Sequence, residues 1–303
     1  MGGARFLRGL SQRTDPADVT VIGNTGDDEE FFGLHVSPDL DTILYTLAAL
    51  ADPSLGWGID GDTFAALGAL TVLGEPTWFR LGDRDLATHL FRTARLRAGW
   101  RLSRVTAALC KAHRVRTRLL PMTDDRVRTF VHTDAGRLAF QDYLVRRRAR
   151  GHVRRIELAG ARQARPAPGV LEALRASHAI VIAPSNPLVS VEPILNVRGV
   201  RALLRRRRHR VVAVTPLVAG RPLKGPLHRM LRGLELEVSP RGVARRYAEV
   251  AGTFVLDARD RSWQPAIEAL GMQVVVTDTI MRTRGHAARL AAAALAAVEA
   301  PRT

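Results

Sequence analysis

Six carboxylates fall within fifteen positions: Asp27, Asp28, Glu29, Glu30, Asp39 and Asp41, with no Lys or Arg among them. The chain around them is strongly basic, with 46 Lys and Arg against 29 Asp and Glu and a formal charge of +17. Paired carboxylates suit magnesium, which takes one or two of them and completes its shell with water and substrate phosphates. The acids belong to two segments. NTGDDEE, Asn24 to Glu30, follows the apolar run VTVIG, and SPDLDT, Ser37 to Thr42, opens a helical pattern. Ser37 or Asp39 can cap that helix, and Asp41 sits in its first turn, where the macrodipole favours an acid. A cap does not need both aspartates with Asp27 and Asp28 nearby.

Two more segments carry chemistry. RLGDRDLATH, Arg80 to His89, joins Gly82, which permits a tight turn, to Asp83, Asp85 and the phosphate-matching fork of Arg84. His89 fits a packed or capping histidine better than a base. APSNP, Ala183 to Pro187, follows an apolar run, and its flanking prolines leave Ser185 and Asn186 to present polar groups. No GxxxxGK[ST], GxSxG or HExxH is present, so P-loop, serine-hydrolase and zincin chemistry are not indicated. Acids, arginines and glycine turns together suggest transfer of a phosphorus group with magnesium offsetting charge.

The elements that position these segments follow from the apolar pattern. VTVIG (Val19–Gly23), AIVIAP (Ala179–Pro184), VVAVTP (Val211–Pro216), TFVLD (Thr253–Asp257) and MQVVVTD (Met272–Asp278) are near-continuous apolar runs. Such runs mark parallel strands covered on both faces, and helical patterns alternate with them. Leu40, Ile43, Leu44, Leu47 and Ala51 share one helical face; Leu86, Leu90, Ala94 and Ala98 form the stripe of another, with Gly99 as its stop. Residues 60–165 break the alternation with helical segments, Ser103 to Ala112 among them, and a hairpin turning at Asp134-Ala135-Gly136. The chain is expected to be one Rossmann-like domain over 1–303, a doubly wound, mostly parallel α/β sheet, with 60–165 as an inserted helical and hairpin subdomain. In open sheets of this kind, ligands bind beyond the carboxyl ends of the strands.

The single cysteine, Cys110, excludes an internal disulfide framework. No apolar run reaches the roughly 20 residues of a membrane span, so a cytoplasmic enzyme without a membrane partner is expected. Only Lys111 and Lys224 are lysines; the basic excess is arginine, as GC-rich coding favours. Arg146 to Arg148 and Arg205 to Arg208 lack the interleaved aromatics that base stacking uses, so no nucleic-acid partner is expected.

At these residues the sequence resembles the 2-phospho-L-lactate transferase family, whose actinobacterial members are phosphoenolpyruvate transferases of coenzyme F-420 biosynthesis. The similarity runs over essentially the whole chain through NTGDDE, SPDLDT, WGI with a following DTF, LGDRDLATH, LLPMTDD, FQDY, APSNP and TPLVAGRPLKGP. It implies a guanosine diphosphate-linked donor of phosphoenolpyruvate or phospholactate, the ribityl hydroxyl of the deazaflavin Fo as acceptor, and GMP as the leaving group. It also implies magnesium and a homodimer. By motif position, Asp39 and Asp41 become the catalytic and metal centre, Asp41 and Arg80 deazaflavin contacts, and Gly2, Gly3, Asn24, Thr25, Ser185 and Asn186 the donor side. Which aspartate binds metal and which meets the hydroxyl stays open.

The opening MGGARFLRGL departs from the family, which begins with an apolar strand and a longer glycine turn. Met1 stands where the family has Thr or Val, so the first strand is expected to be truncated. A non-catalytic nucleotide-sugar-binding regulator of the same superfamily is the alternative, and PDLDT and LGDRDLATH argue against it.

Overall fold

The computed structural model describes residues 2–52 and 56–299; Met1 lies outside them. The chain begins with helix α1 (Gly2–Leu10), then strand β1 (Thr20–Gly23) and the hairpin β2 (Glu29–Phe31) and β3 (Leu34–Val36). Phe32 and Gly33 both have positive φ, the two-residue turn whose twist suits a tight hairpin. Helices α2 (Pro38–Leu47), α3 (Ala65–Val72), α4 (Asp83–Arg97) and α5 (Leu102–Ala112) precede β4 (Arg118–Pro121). An antiparallel unit follows, β5 (Arg128–Thr133), β6 (Gly136–Ala139) and β7 (Val153–Ala159), with β5 in its centre.

The second half alternates: α6 (Val170–Ala176), β8 (Ile180–Ile182), α7 (Glu192–Asn196), α8 (Val200–Arg206) and β9 (Val211–Val214). The short strands β10 (Leu217–Val218) and β11 (Arg221–Pro222) lead to α9 (Leu227–Gly233), α10 (Pro240–Tyr247) and β12 (Thr253–Asp257). The described chain closes with α11 (Gln264–Glu268), β13 (Gln273–Thr277) and α12 (Arg284–Glu299). Strands β13, β12, β9 and β8 form a parallel sheet in that order. Every residue of β9 and β12 is buried, as the continuous apolar runs require of a two-faced sheet. Val212, Val214 and Val255 pack with Phe6 of α1 and with Leu290, Ala291 and Ala294 of α12. Their neighbours Val211, Ala213, Phe254 and Leu256 point the other way, into the main core. All five apolar runs are strands, and the fold is mixed α/β of Rossmann-like type.

The parallel array is interrupted. β1 pairs in parallel with β4, Thr20 opposite Arg118 through Gly23 opposite Pro121, and neither belongs to the four-stranded sheet. Among the described residues nothing pairs β1 with β8, and a cavity runs between Val19–Gly23 and Ala179–Ala183. The residues before β1 form α1 rather than a strand.

Two helical expectations need correction. Ala51 lies past the end of α2 and forms an isolated bridge with Ile59. In α4 the apolar stripe is not the buried face. Leu90 is 56% exposed and Ala94 and Ala98 are exposed, whereas Asp85, Thr88, His89, Arg92 and Thr93 are buried. Those polar residues face the acidic segments. Their partners are polar too, which overrides the hydrophobic rule for helix faces.

Candidate active site

Asn24 follows β1 and organises the acidic centre. Its Oδ1 accepts the Gly26 N–H at 2.8 Å, which closes the turn after the strand. Its Nδ2 donates toward Asp27 Oδ1 at 3.1 Å, Asp39 Oδ2 at 3.0 Å and the Val189 carbonyl at 3.3 Å. One amide therefore draws a carboxylate from each acidic segment to the same point. Gln141, from the FQDY segment, donates to Asp27 Oδ2 at 3.1 Å. Burial, and then the charges of Asp39 and Asp28, push the Asp27 carboxyl well above the usual carboxylate range.

Asp28 turns away from Asn24. Ser37 Oγ donates to Asp28 Oδ2 at 2.7 Å and His35 Nε2 lies 3.0 Å from the same oxygen. Burial still raises the Asp28 carboxyl, against both partners. Ser37 thus stands at the cap position of α2 but spends its hydroxyl on Asp28, not on the helix.

Asp41 is held from α4. Arg92 donates through Nη2 to Asp41 Oδ1 and through Nη1 to Asp41 Oδ2 at 3.2 Å. Burial alone would lower the Arg92 pKa; the Asp41 carboxylate beside it more than reverses this and raises it. Nη1 also lies 3.1 Å from His89 Nδ1. A guanidinium only donates, so Nδ1 stands as the acceptor in this approach, and Nε2 lies 3.1 Å from Asp85 Oδ1. Tyr45 donates to that same Asp85 oxygen at 2.5 Å, and its own ionisation is pushed up by burial and by Asp41 and Asp85.

A cavity of about 1110 Å³ opens onto Asp27, Asp39 and Asp41. Trp57, Trp78, Phe79 and Arg80 line it. Phe79 stacks on Phe31 at 4.0 Å, Trp78 meets Phe31 edge-on, and Arg80 lies over the Phe64 ring. Gly2, Gly3, Ser185, Asn186 and Lys224 line the same cavity. A Cβ at Gly2 would come within 2.1 Å of the Pro184 carbonyl, so only glycine lets the start of α1 abut the APSNP loop. Asn186 closes its own turn by accepting the Leu188 N–H at 2.9 Å. Thr25 is buried beside the centre, its hydroxyl without a partner.

Asp62 and Asp83 have a structural task. Asp83 accepts the N–H groups of Ala65 and Ala66 at the start of α3, and Asp62 accepts those of Arg84 and Asp85 at the start of α4. The two helices cap each other. A Cβ at Gly82 would lie 2.2 Å from Asp62 Oδ2, which is why that position is glycine. Gly56 to Gly61 spells GxGxxG, but it lies in the loop between α2 and α3, not at a strand-to-helix turn, and is no dinucleotide fingerprint.

Among the described residues no group of three or more His, Cys, Asp or Glu side chains is arranged to hold a metal unaided. The donor set suits magnesium all the same. Two like-charged carboxylates drawn together by one neutral amide are relieved by a cation that takes its remaining ligands from phosphate and water.

The sequence profile of 2-phospho-L-lactate transferase CofD matches residues 1–293. The chain belongs to this family. A phosphoenolpyruvate transferase from Streptomyces griseus is 43% identical over 305 residues, covering 99% of this chain and 96% of that protein. A 2-phospho-L-lactate transferase from Methanosarcina mazei is 37% identical, covering 96% and 95%. Family membership supports a phosphoenolpyruvate or phospholactate transferase activity. A Bacillus halodurans protein of the UPF0052 family shares the fold, with a TM-score of 0.61 at 17% identity over 97% of this chain. Within the family frame, Asp39, Asp41, Asn24 and Arg80 meet at one cavity, as do Gly2, Gly3, Ser185 and Asn186. Gln141, Arg92 and Tyr45 join the centre without having been singled out from the sequence. Gln141 sits in FQDY, and Arg92 lies within α4 three positions after His89 of LGDRDLATH, so the clue was helical spacing.

Proposed function

We propose that the chain transfers a phosphoenolpyruvyl or 2-phospholactyl group from a guanosine diphosphate-linked donor to the ribityl hydroxyl of the deazaflavin Fo. The acceptor oxygen forms a bond to the phosphorus bearing the enolpyruvyl or lactyl ester. The bridging P–O bond breaks, and GMP leaves with the electron pair. The observation that carries this is the convergence of Asp27 and Asp39 on Asn24 at a cavity that also has an aromatic wall and a glycine-lined loop. We assign the aromatic wall with Arg80 to the deazaflavin, and Gly2, Gly3 and Ser185 with Lys224 to the donor.

Asp27 and Asp39 would hold magnesium, which offsets phosphate charge when bound. Asp41, with both oxygens on Arg92, acts as a fixed anion beside them. The hydroxyl proton passes to Asp39, which lines the cavity and keeps one oxygen clear of Asn24. We expect a cytoplasmic homodimer.

The test is incubation with Fo, magnesium and each donor in turn, with products weighed by mass spectrometry. A product heavier than Fo by the transferred group, together with GMP, supports the proposal. Donor binding without any product would favour a nucleotide-binding regulator.

A further inference from the structure

A fully buried arginine is uncommon, and Arg92, 1% exposed, is the largest fully buried side chain among the described residues. It reaches three segments. Nη1 and Nη2 hold Asp41 of α2, Nη1 donates to the His35 carbonyl of β3 at 3.3 Å, and Nη1 meets His89 within α4. Its neighbour Thr93 completes the grip, its Oγ1 accepting the His35 N–H at 2.8 Å. Both backbone groups of His35 are therefore tied to α4. The His35 ring and Ser37, two residues on, are the groups that hold Asp28. Asp39 lies two residues before Asp41 in the same first turn.

We infer that Arg92, with Thr93, is a positioning clamp for the transfer reaction. By fixing the β3–α2 junction from both sides it sets where the Asp39 carboxylate stands relative to Asp27, without touching either substrate. The inference rests on the transferase activity proposed above. It also explains why α4 turns its polar face inward and leaves Leu90 in solvent. A lysine at 92 keeps the charge but is a point donor on a flexible stem, and cannot serve Asp41 and the His35 carbonyl with one planar fork.

The experiment compares Arg92→Lys, Arg92→Met and Thr93→Val with wild type and with Leu90→Ala as a control on the opposite face. Turnover is expressed per folded molecule, with the folded fraction taken from near-UV circular dichroism. We expect the Arg92 variants to lose about 10–100-fold in kcat. KM for donor and deazaflavin should stay within about twofold, the pattern of a lost transition-state arrangement. Thr93→Val should lose less in the same direction, and Leu90→Ala nothing. If neither Arg92 variant folds, Thr93→Val decides. Unchanged kcat per folded molecule, or a rise in KM alone, would overturn the clamp, because a merely structural arginine lowers only the amount of folded protein. A wild-type enzyme that releases no GMP would instead refute the transferase proposal itself.

Discussion

Asp39 and Asp41 are two residues apart and stand in different surroundings. Asp39 is half-buried with one amide partner, whereas Asp41 is buried against a guanidinium. Asp39→Asn should therefore keep the fold and lose most turnover, about 100-fold or more if it takes the proton as proposed. Asp41→Asn tolerates its helix position but leaves Arg92 without its counter-charge in a dry site. Breaking a buried ion pair costs about 3–5 kcal/mol, so this variant should unfold at clearly lower urea as well as lose activity. Urea titration and steady-state rates on both variants separate the roles; equal stability for the two would contradict them. From the sequence alone it stayed open which of the two binds metal and which meets the hydroxyl, because nothing in SPDLDT reveals that an arginine fifty-one positions away occupies one of them.

The helices around the site show where sequence reasoning holds and where it stops. TFVLD is β12 residue for residue, since a strand buried on both faces leaves a near-continuous apolar run. The apolar stripe of α4 pointed to the wrong face, since that helix serves a polar centre. The reciprocal caps Asp62 and Asp83 were equally hidden, because each caps a helix about twenty positions away in the chain. Asp83→Ala should lower Tm by about 2 °C through the lost cap, with turnover changed far less than in Asp39→Asn. Scanning calorimetry alongside rates checks this. In the β5–β7 sheet, hydrogen bonds from Arg137 and His132 pull the Glu157 carboxyl down to about 2. Its folded pKa lies below its unfolded value near 4.5, so its contribution is present above about pH 4.5 and fades toward pH 2. The pair is largely exposed, so the effect is small. The gap in urea midpoint between wild type and Glu157→Gln should close as pH falls from 6 to 2.5; a gap that widens would contradict the ion pair.

Across the whole molecule, part of the +17 charge has a structural use. Arg207 donates to the carbonyls of Leu174, Arg175 and Ser177 at the end of α6, and Arg208 to those of Ala248 and Gly271. Arg205 pairs with Glu249. Arg207 and Arg208 thus satisfy helix ends and loops, the need that orphan carbonyls create. The split between β1–β4 and the four-stranded sheet is a feature that no local pattern announces, because strand pairing depends on which edges meet. What the two sheets and the helices around them produce is one cavity with acids at its centre. The most direct test of that assembly is GMP release from the guanosine diphosphate-linked donor, followed by chromatography in four mixtures: complete, without Fo, without magnesium, and complete with Asp39→Asn. We predict GMP in the complete mixture, one for each molecule of Fo consumed, and only background in the other three. GMP released at the same rate without Fo, or by Asp39→Asn, would contradict a transfer reaction centred on these carboxylates.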